Sequence, residues 1–184
     1  MHKPSELVIV EEYNPEWSLW FERLSSFLES HIGRCIIRIE HVGSTAIPGM
    51  VAKPIIDTNV VIHISDFEET KSKLEKIGYK HLGDLGISGR EAFDLIDIKL
   101  RQQLPPHHLY VCDLLSEELH RHIAFRDYLR EHPDAANEYS KLKMHLVQLH
   151  AGDRELYIKG KDSLVRDILG KALQWFEDRN TDKR

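Results

Sequence analysis

The stretch HVGSTAIPGMVAKPIIDTNVVI, residues 41–62, holds the side chains of this protein best suited to handling phosphate. Gly43 lets backbone approach a ligand closely, and Ser44 and Thr45 add two hydroxyls beside N–H groups that open a short helix. Phosphate oxygens suit such a corner. Asp57 follows on an apolar strand, which holds its carboxylate rigidly, so its oxygens are placed to take a divalent cation that neutralises phosphates during phosphoryl or nucleotidyl transfer. Mg2+ is the expected ion. Lys53, just before Pro54, is placed to offset phosphate charge, although an ordinary exposed loop lysine would look the same. Arg90 offers a guanidinium fork for phosphate or carboxylate, against the alternative of a loop arginine pairing with Glu91 or Asp94.

Two strands must hold that corner. Residues 35–42 (CIIRIEHV) and 55–64 (IIDTNVVIHI) are rich in Ile and Val and read as strands on either side of it. Alternation along the first sends Glu40 and His41 to opposite faces. Ahead of them, residues 7–10 read as a short edge strand, and Asn14-Pro15 as a helix cap with proline at the first helical position. Trp17, Trp20, Phe21, Leu24, Phe27 and Leu28 then form one apolar helical face that must pack on a core. Ser65 and Glu68 suggest a capping box for a helix over residues 67–77, ended by Gly78.

Gly83, Gly86 and Gly89 make turns before two further strands at residues 91–100 and 108–112, separated by Pro105-Pro106. A mixed sheet of four or five strands follows. Beyond Asp113 the chain turns helical, with helices over residues 116–130, 133–150 and 154–179 and a frayed tail at 180–184. Val165, Ile168, Leu169, Ala172, Leu173 and Phe176 share one stripe of the last helix. Arg126 and Asp127 lie inside a helix whose Phe125 and Leu129 face inward, so their charges are expected to pair within the protein. The architecture is α/β, or α+β, in a single domain: residues 1–113 form the sheet core and 114–184 a helical region packed on it.

Composition limits the partners. A net charge of −5 gives no general attraction to duplex nucleic acid, and no apolar run approaches a membrane span. The opening residues lack the features of a signal peptide, so a cytoplasmic location is expected. Cys35 and Cys112 are too few for a thiolate zinc site and read as small buried residues, and none of the 12 histidines falls in a zinc-ligand spacing. A small phosphate-bearing molecule is the expected partner; a protein partner is left open.

Gly-Ser after one strand and an acid on the next resembles the signature of the nucleotidyltransferase superfamily. More narrowly, the chain is similar to the GrpB family through EHVGSTAIPGMVAKPIID (residues 40–57), GREAF (89–93) and HHLYVC (107–112). The helical part agrees, through RHIAFRDYLREHPDAANEYSKLK (121–143) and DRELYIKGKDSLVRDIL (153–169). The resemblance implies a nucleotidyltransferase-like core. It draws Arg90 into the site, together with Lys141, Tyr157 and Lys161 as the positive wall of a nucleotide cleft. The domain also looks like one appended to some bacterial dephospho-CoA kinases, but no GxxxxGK(S/T) phosphate loop is present, so kinase activity is not expected.

Two positions depart from the pattern. Active members of the superfamily carry a second acid two residues after the first, where this chain has Asn59, a neutral and poorer metal ligand beside Asp57. Tyr110 replaces a histidine common in the family, which leaves His108 to complete the site as base or ligand, or to serve only as a hydrogen-bonding group. Two functions are therefore expected from different classes. One is nucleotidyl transfer from a nucleoside triphosphate, with Gly43, Ser44 and Thr45 on the phosphates and Asp57 on the metal. The other is an inactive nucleotide- or coenzyme-binding or protein-docking module.

Overall fold

The computed structural model describes residues 7–181. Helix α1 (Glu16–Ile32) starts where its sequence requires, because the Asn14 Oδ1 accepts a hydrogen bond from the Glu16 N–H at 2.9 Å. Its apolar stripe of Trp17, Leu24, Leu28 and Ile32 is fully buried. The chain then enters a sheet of five strands: β1 (Arg38–Val42), β2 (Ile56–Ile62), β3 (Tyr79–Gly83), β4 (Arg90–Leu95) and β5 (His107–Asp113). Their order is β1-β2-β5-β4-β3, and only β2 and β5 run parallel. The crossover between those two includes helices α2 (Phe67–Lys76) and α3 (Ile98–Gln103).

Several elements differ from their sequence patterns for identifiable reasons. Residues 7–10 form no strand: Val8 is 3% exposed against Leu146 and Tyr157 while Leu7 and Ile9 are 68% and 65% exposed, so the alternation serves packing on helices. Just beyond them, Glu11 makes one isolated bridge to Ala52. A 3-10 turn (Gly33–Cys35) takes the beginning of the first expected strand. Ser65 sits in a second such turn (Ile64–Asp66), so no capping box forms, although Gly78 at φ +92° does follow the helix. The long strand expected at 91–100 breaks at Asp97, whose side chain caps α3 by accepting from the Leu100 N–H at 2.9 Å. The tail at 182–184 lies outside the described residues, and residues 180 and 181 belong to the last helix.

Alternation along β2 divides the molecule. Ile56, Val60 and Ile62 join Leu109 and Val111 in a core beneath α1 that also takes Leu74 of α2. Asp57, Asn59 and Val61 point the other way, level with His108, Tyr110 and Cys112 of β5. That second face is covered by helices α4 (Glu117–Glu131), α5 (Pro133–Leu149) and α6 (Arg154–Thr181). Ser116 caps α4, and Pro133 occupies the first position of α5. Ile47 and Met50, from the loop between β1 and β2, pack on Leu129, Ala136, Tyr139 and Ile168. The loop is thus pinned to the helices. No helix among the described residues is long and apolar enough to cross a membrane.

Arg126 of α4 makes the polar join to β1. Its Nη1 donates to Glu40 Oε2 at 2.6 Å and to the His41 carbonyl at 3.0 Å, while its Nε reaches Asp127 at 2.7 Å. Glu40 and His41 do face opposite sides, for His41 is stacked on Phe21 of α1. Because the guanidinium is largely buried, Arg126→Ala leaves Glu40 with Arg38 as its ion-pair partner but takes the donor from Glu40 Oε2 and from the His41 carbonyl, and is expected to cost about 2 kcal/mol, read as a lowered urea midpoint.

Candidate functional site

Gly43 turns the chain at the end of β1 with φ +71°, and a Cβ there would collide with the Asp57 carboxylate. No other residue fits. Ser44 opens a 3-10 turn (Ser44–Ala46), and the Ile47 N–H closes it on the Ser44 carbonyl at 3.2 Å. Thr45 is buried behind the turn, its Oγ1 lying 3.0 Å from His41 Nε2 and 3.4 Å from the Ile55 carbonyl. Burial, helped by the Arg130 charge, lowers the His41 pKa to about 4, so that ring is neutral packing. Corner and carboxylate are therefore in direct contact.

Asp57 Oδ1 accepts from His108 Nδ1 at 2.8 Å, and the His108 side chain is about half exposed. Parallel pairing sets the two residues level on adjacent strands. Asn59 is elsewhere: it is fully buried, its Nδ2 lies 2.9 Å from His122 Nδ1 of α4, and its Oδ1 has no partner. Arg90 begins β4, lies 4.3 Å above the Tyr110 ring and approaches Glu118 at 4.0 Å, rather than pairing with Glu91 or Asp94.

Two cavities meet at this corner. The smaller, about 180 Å³, is lined by Thr45, Lys53, His108, Lys143 and Tyr157 among others. The larger, about 370 Å³, is lined by Gly43, Arg90, Tyr110, Phe125 and Tyr139 among others. Ser44, Asp57 and Lys161 border both. Lys141 borders neither and is exposed on α5, a correction to the expected positive wall. Lys143, two residues on, is only 2% exposed, and its Nζ donates to Ser44 Oγ at 3.0 Å and to the Val51 carbonyl. The sequence did carry a signal for it. Ala136, Tyr139, Ser140 and Leu146 are buried at helical spacing, and Lys143 falls in the middle of that stripe.

Burial, with Lys161 nearby, lowers the Lys143 pKa to about 7; burial, with Lys53 nearby, lowers that of Lys161 to about 8. Each amine lies over an aromatic ring, Lys143 at 4.5 Å from the Tyr139 centroid and Lys161 at 4.4 Å from that of Tyr157. The donors around Asp57 make a weak home for a cation by themselves. Among the described residues no group of three His, Cys, Asp or Glu is placed to hold a metal ion, and Asn59 turns its amide toward His122. Any Mg2+ held by Asp57 would need further oxygens from a ligand's phosphates.

Two outcomes are expected from this geometry. Gly43→Ala forces Asp57 aside and distorts the corner, seen as lost His108–Asp57 coupling in imidazole NMR shifts. Lys143→Met removes an isolated amine from the interior and is expected to stabilise the fold by about 1–4 kcal/mol in thermal unfolding. Since the folded amine gives up its proton near pH 7 and the unfolded one only near 10.5, wild-type stability rises with pH above 7 and falls as pH drops through that value. Lys161 contributes in the same direction, so the slope between pH 7 and 9 should fall by about half in Lys143→Met.

Comparison with known proteins accords with this arrangement. The UPF0157 protein YqkA of Bacillus subtilis is 35% identical over 96% of this chain, which spans half the length of that relative. The crystal structure of the conserved protein GrpB from Enterococcus faecalis superposes with a TM-score of 0.80 at 35% identity, covering 91% of this chain and 99% of that one. The Cid1 poly(U) polymerase, in a structure with MgGTP bound, shares the fold at a TM-score of 0.52 and 11% identity, over 74% of this chain and 44% of its own. The core thus has the fold of that polymerase's matching part. The GrpB protein family model matches residues 7–171, and the chain belongs to that family.

Proposed function

We propose that the corner between β1 and β2 binds the phosphate end of a nucleotide or a related phosphate-bearing small molecule. One observation carries this reading. Lys143 is buried and Lys161 half-buried in cavities that Ser44 also borders, and neither makes an ion pair with a carboxylate of the described residues. An amine in poor solvent holds its proton weakly unless a counter-charge is close, and an anionic ligand supplies one. Gly43 gives such a ligand close access to backbone, Ser44 and Thr45 add hydroxyls, and Lys53 and Arg90 extend the positive field. Calorimetry with a panel of nucleoside mono-, di- and triphosphates in the presence of Mg2+ tests it. Binding should be saturable and at least tenfold weaker in Ser44→Ala with Lys161→Met combined; unchanged affinity in that variant would place the ligand elsewhere.

Nucleotidyl transfer is the second reading, favoured by the Asp57–His108 pair. With Nδ1–H donated to Asp57, the His108 Nε2 is left as a proton acceptor near the bound phosphates. An acceptor hydroxyl would attack the α-phosphorus of a nucleoside triphosphate, its proton passing to His108 while pyrophosphate leaves. Mg2+ on Asp57 and the ligand phosphates would supply charge neutralisation in that reaction. Incubation with labelled nucleoside triphosphates, Mg2+ and cell extract as a source of acceptors checks it. Asp57→Ala should reduce labelled product at least a hundredfold, and product formation that survives this change would exclude the mechanism.

A further inference from the structure

The smaller cavity is unusual in its balance of charge. Lys53, Lys143 and Lys161 border it, and Asp57 is the one carboxylate among its lining residues. That carboxylate is already engaged through Oδ1 with His108. Lys143 is anchored from behind by the Val51 carbonyl and presents its Nζ to Ser44 Oγ, at the point where the two cavities join. Lys143 and Lys161 make no ion pair with a carboxylate of the described residues, so these two amines preorganise the cavity for negative charge beyond that of Asp57. A space of 180 Å³ corresponds to about six water molecules, room for two or three linked phosphoryl groups but not for a sugar and base as well. The adjoining 370 Å³ cavity, with the Tyr110, Phe125 and Tyr139 rings and Arg90, accommodates the remainder.

The carboxylate set points the same way. A cation between phosphates is ordinarily held by one or two protein carboxylates, and its task is to neutralise the phosphate oxygens. Here the second acid position is Asn59, turned to His122 and buried beneath the site. Lys53, Lys143 and Lys161 border the cavity instead. Two of them stand in a desolvated setting where each charge-assisted bond to a phosphate oxygen is stronger than at the surface.

We propose that the smaller cavity is a polyphosphate site in which Lys143 and Lys161 take the part of a divalent cation, so that a nucleoside di- or triphosphate binds without metal. This rests on the phosphate-binding reading above and narrows it. Only binding is metal-free; any transfer step would still call on Mg2+ at Asp57. The amines donate to the phosphate oxygens, while the sugar and base lie across Ser44 and Asp57 in the larger cavity.

Calorimetry with inorganic tripolyphosphate, ADP and adenosine, each in excess EDTA and in excess Mg2+, tests the idea on wild type and on Lys161→Met, Lys143→Met and Lys141→Met. Tripolyphosphate and ADP should bind in EDTA at least as tightly as in Mg2+, and adenosine at least a hundredfold more weakly. Loss of either lysine should weaken tripolyphosphate binding in EDTA about 10- to 100-fold, whereas Lys141→Met, on the helix of Lys143 but outside the cavity, should change it less than twofold. If Lys143→Met does not fold, Lys161→Met decides alone. Binding seen only with Mg2+ would overturn this inference and leave the phosphate reading intact. Absence of binding under both conditions would remove both. Binding in EDTA that is indifferent to Lys161→Met and Lys143→Met, or equally sensitive to Lys141→Met, would also overturn the inference.

Discussion

An isolated amine in the protein interior governs this structure. Lys143 reaches from α5 to the loop between β1 and β2, where it meets Ser44 Oγ and the Val51 carbonyl. A methionine would suit the spot better in hydrophobic terms, because an ammonium group resists leaving water. The fold tolerates the lysine by surrounding it with the Tyr139 ring, a hydroxyl and a carbonyl. Everything at the corner is arranged around that point. Ile47 and Met50 clamp the loop to the helices, Arg130 holds the Ala46 carbonyl at 2.9 Å, and Ser140 accepts from the Val51 N–H at 3.2 Å. Stability is given up locally to keep an amine beside Ser44.

The second polar layer explains why the sheet can carry charge on a covered face. Glu40 is satisfied by Arg126, Asn59 touches His122, and His122 Nε2 lies 3.2 Å from Glu118. Helix α4 therefore supplies partners for polar side chains that β1 and β2 direct upward. Its apolar contribution is limited to residues such as Leu119, Ala124 and Leu129. Asn59 belongs to this layer structurally. Its neutral amide suits a buried position next to a histidine, where a second carboxylate would need its own counter-ion.

Much of the fold was legible locally. The α1 stripe, the two Ile- and Val-rich strands, the Asn14 bond at the start of α1, and the Gly43–Asp57 corner all rest on local patterns. What escaped depends on distant partners. YKHLG, the β3 edge strand, buries only Tyr79 fully and exposes Lys80 and Leu82, so its alternation is too weak to read. Val8 alternates like a strand but rests on helices. Lys143 meets Ser44 across 99 positions, and the resemblance directed attention to Lys141 instead; only the rotation of α5 decides which lysine points inward. The histidine contacts of Asp57 and Asn59 likewise join residues 51 and 63 positions apart.

The lone parallel pairing in the sheet has a consequence for assembly. Asp57 and His108 become neighbours only when β5 inserts beside β2, after the chain has travelled through α2, β3, β4 and α3. Closing so long a loop is entropically demanding, and contacts of that kind form late in folding. A nascent or partly folded chain therefore holds the aspartate without its imidazole. The pair is a marker of maturity: it exists only in molecules whose central strand has docked.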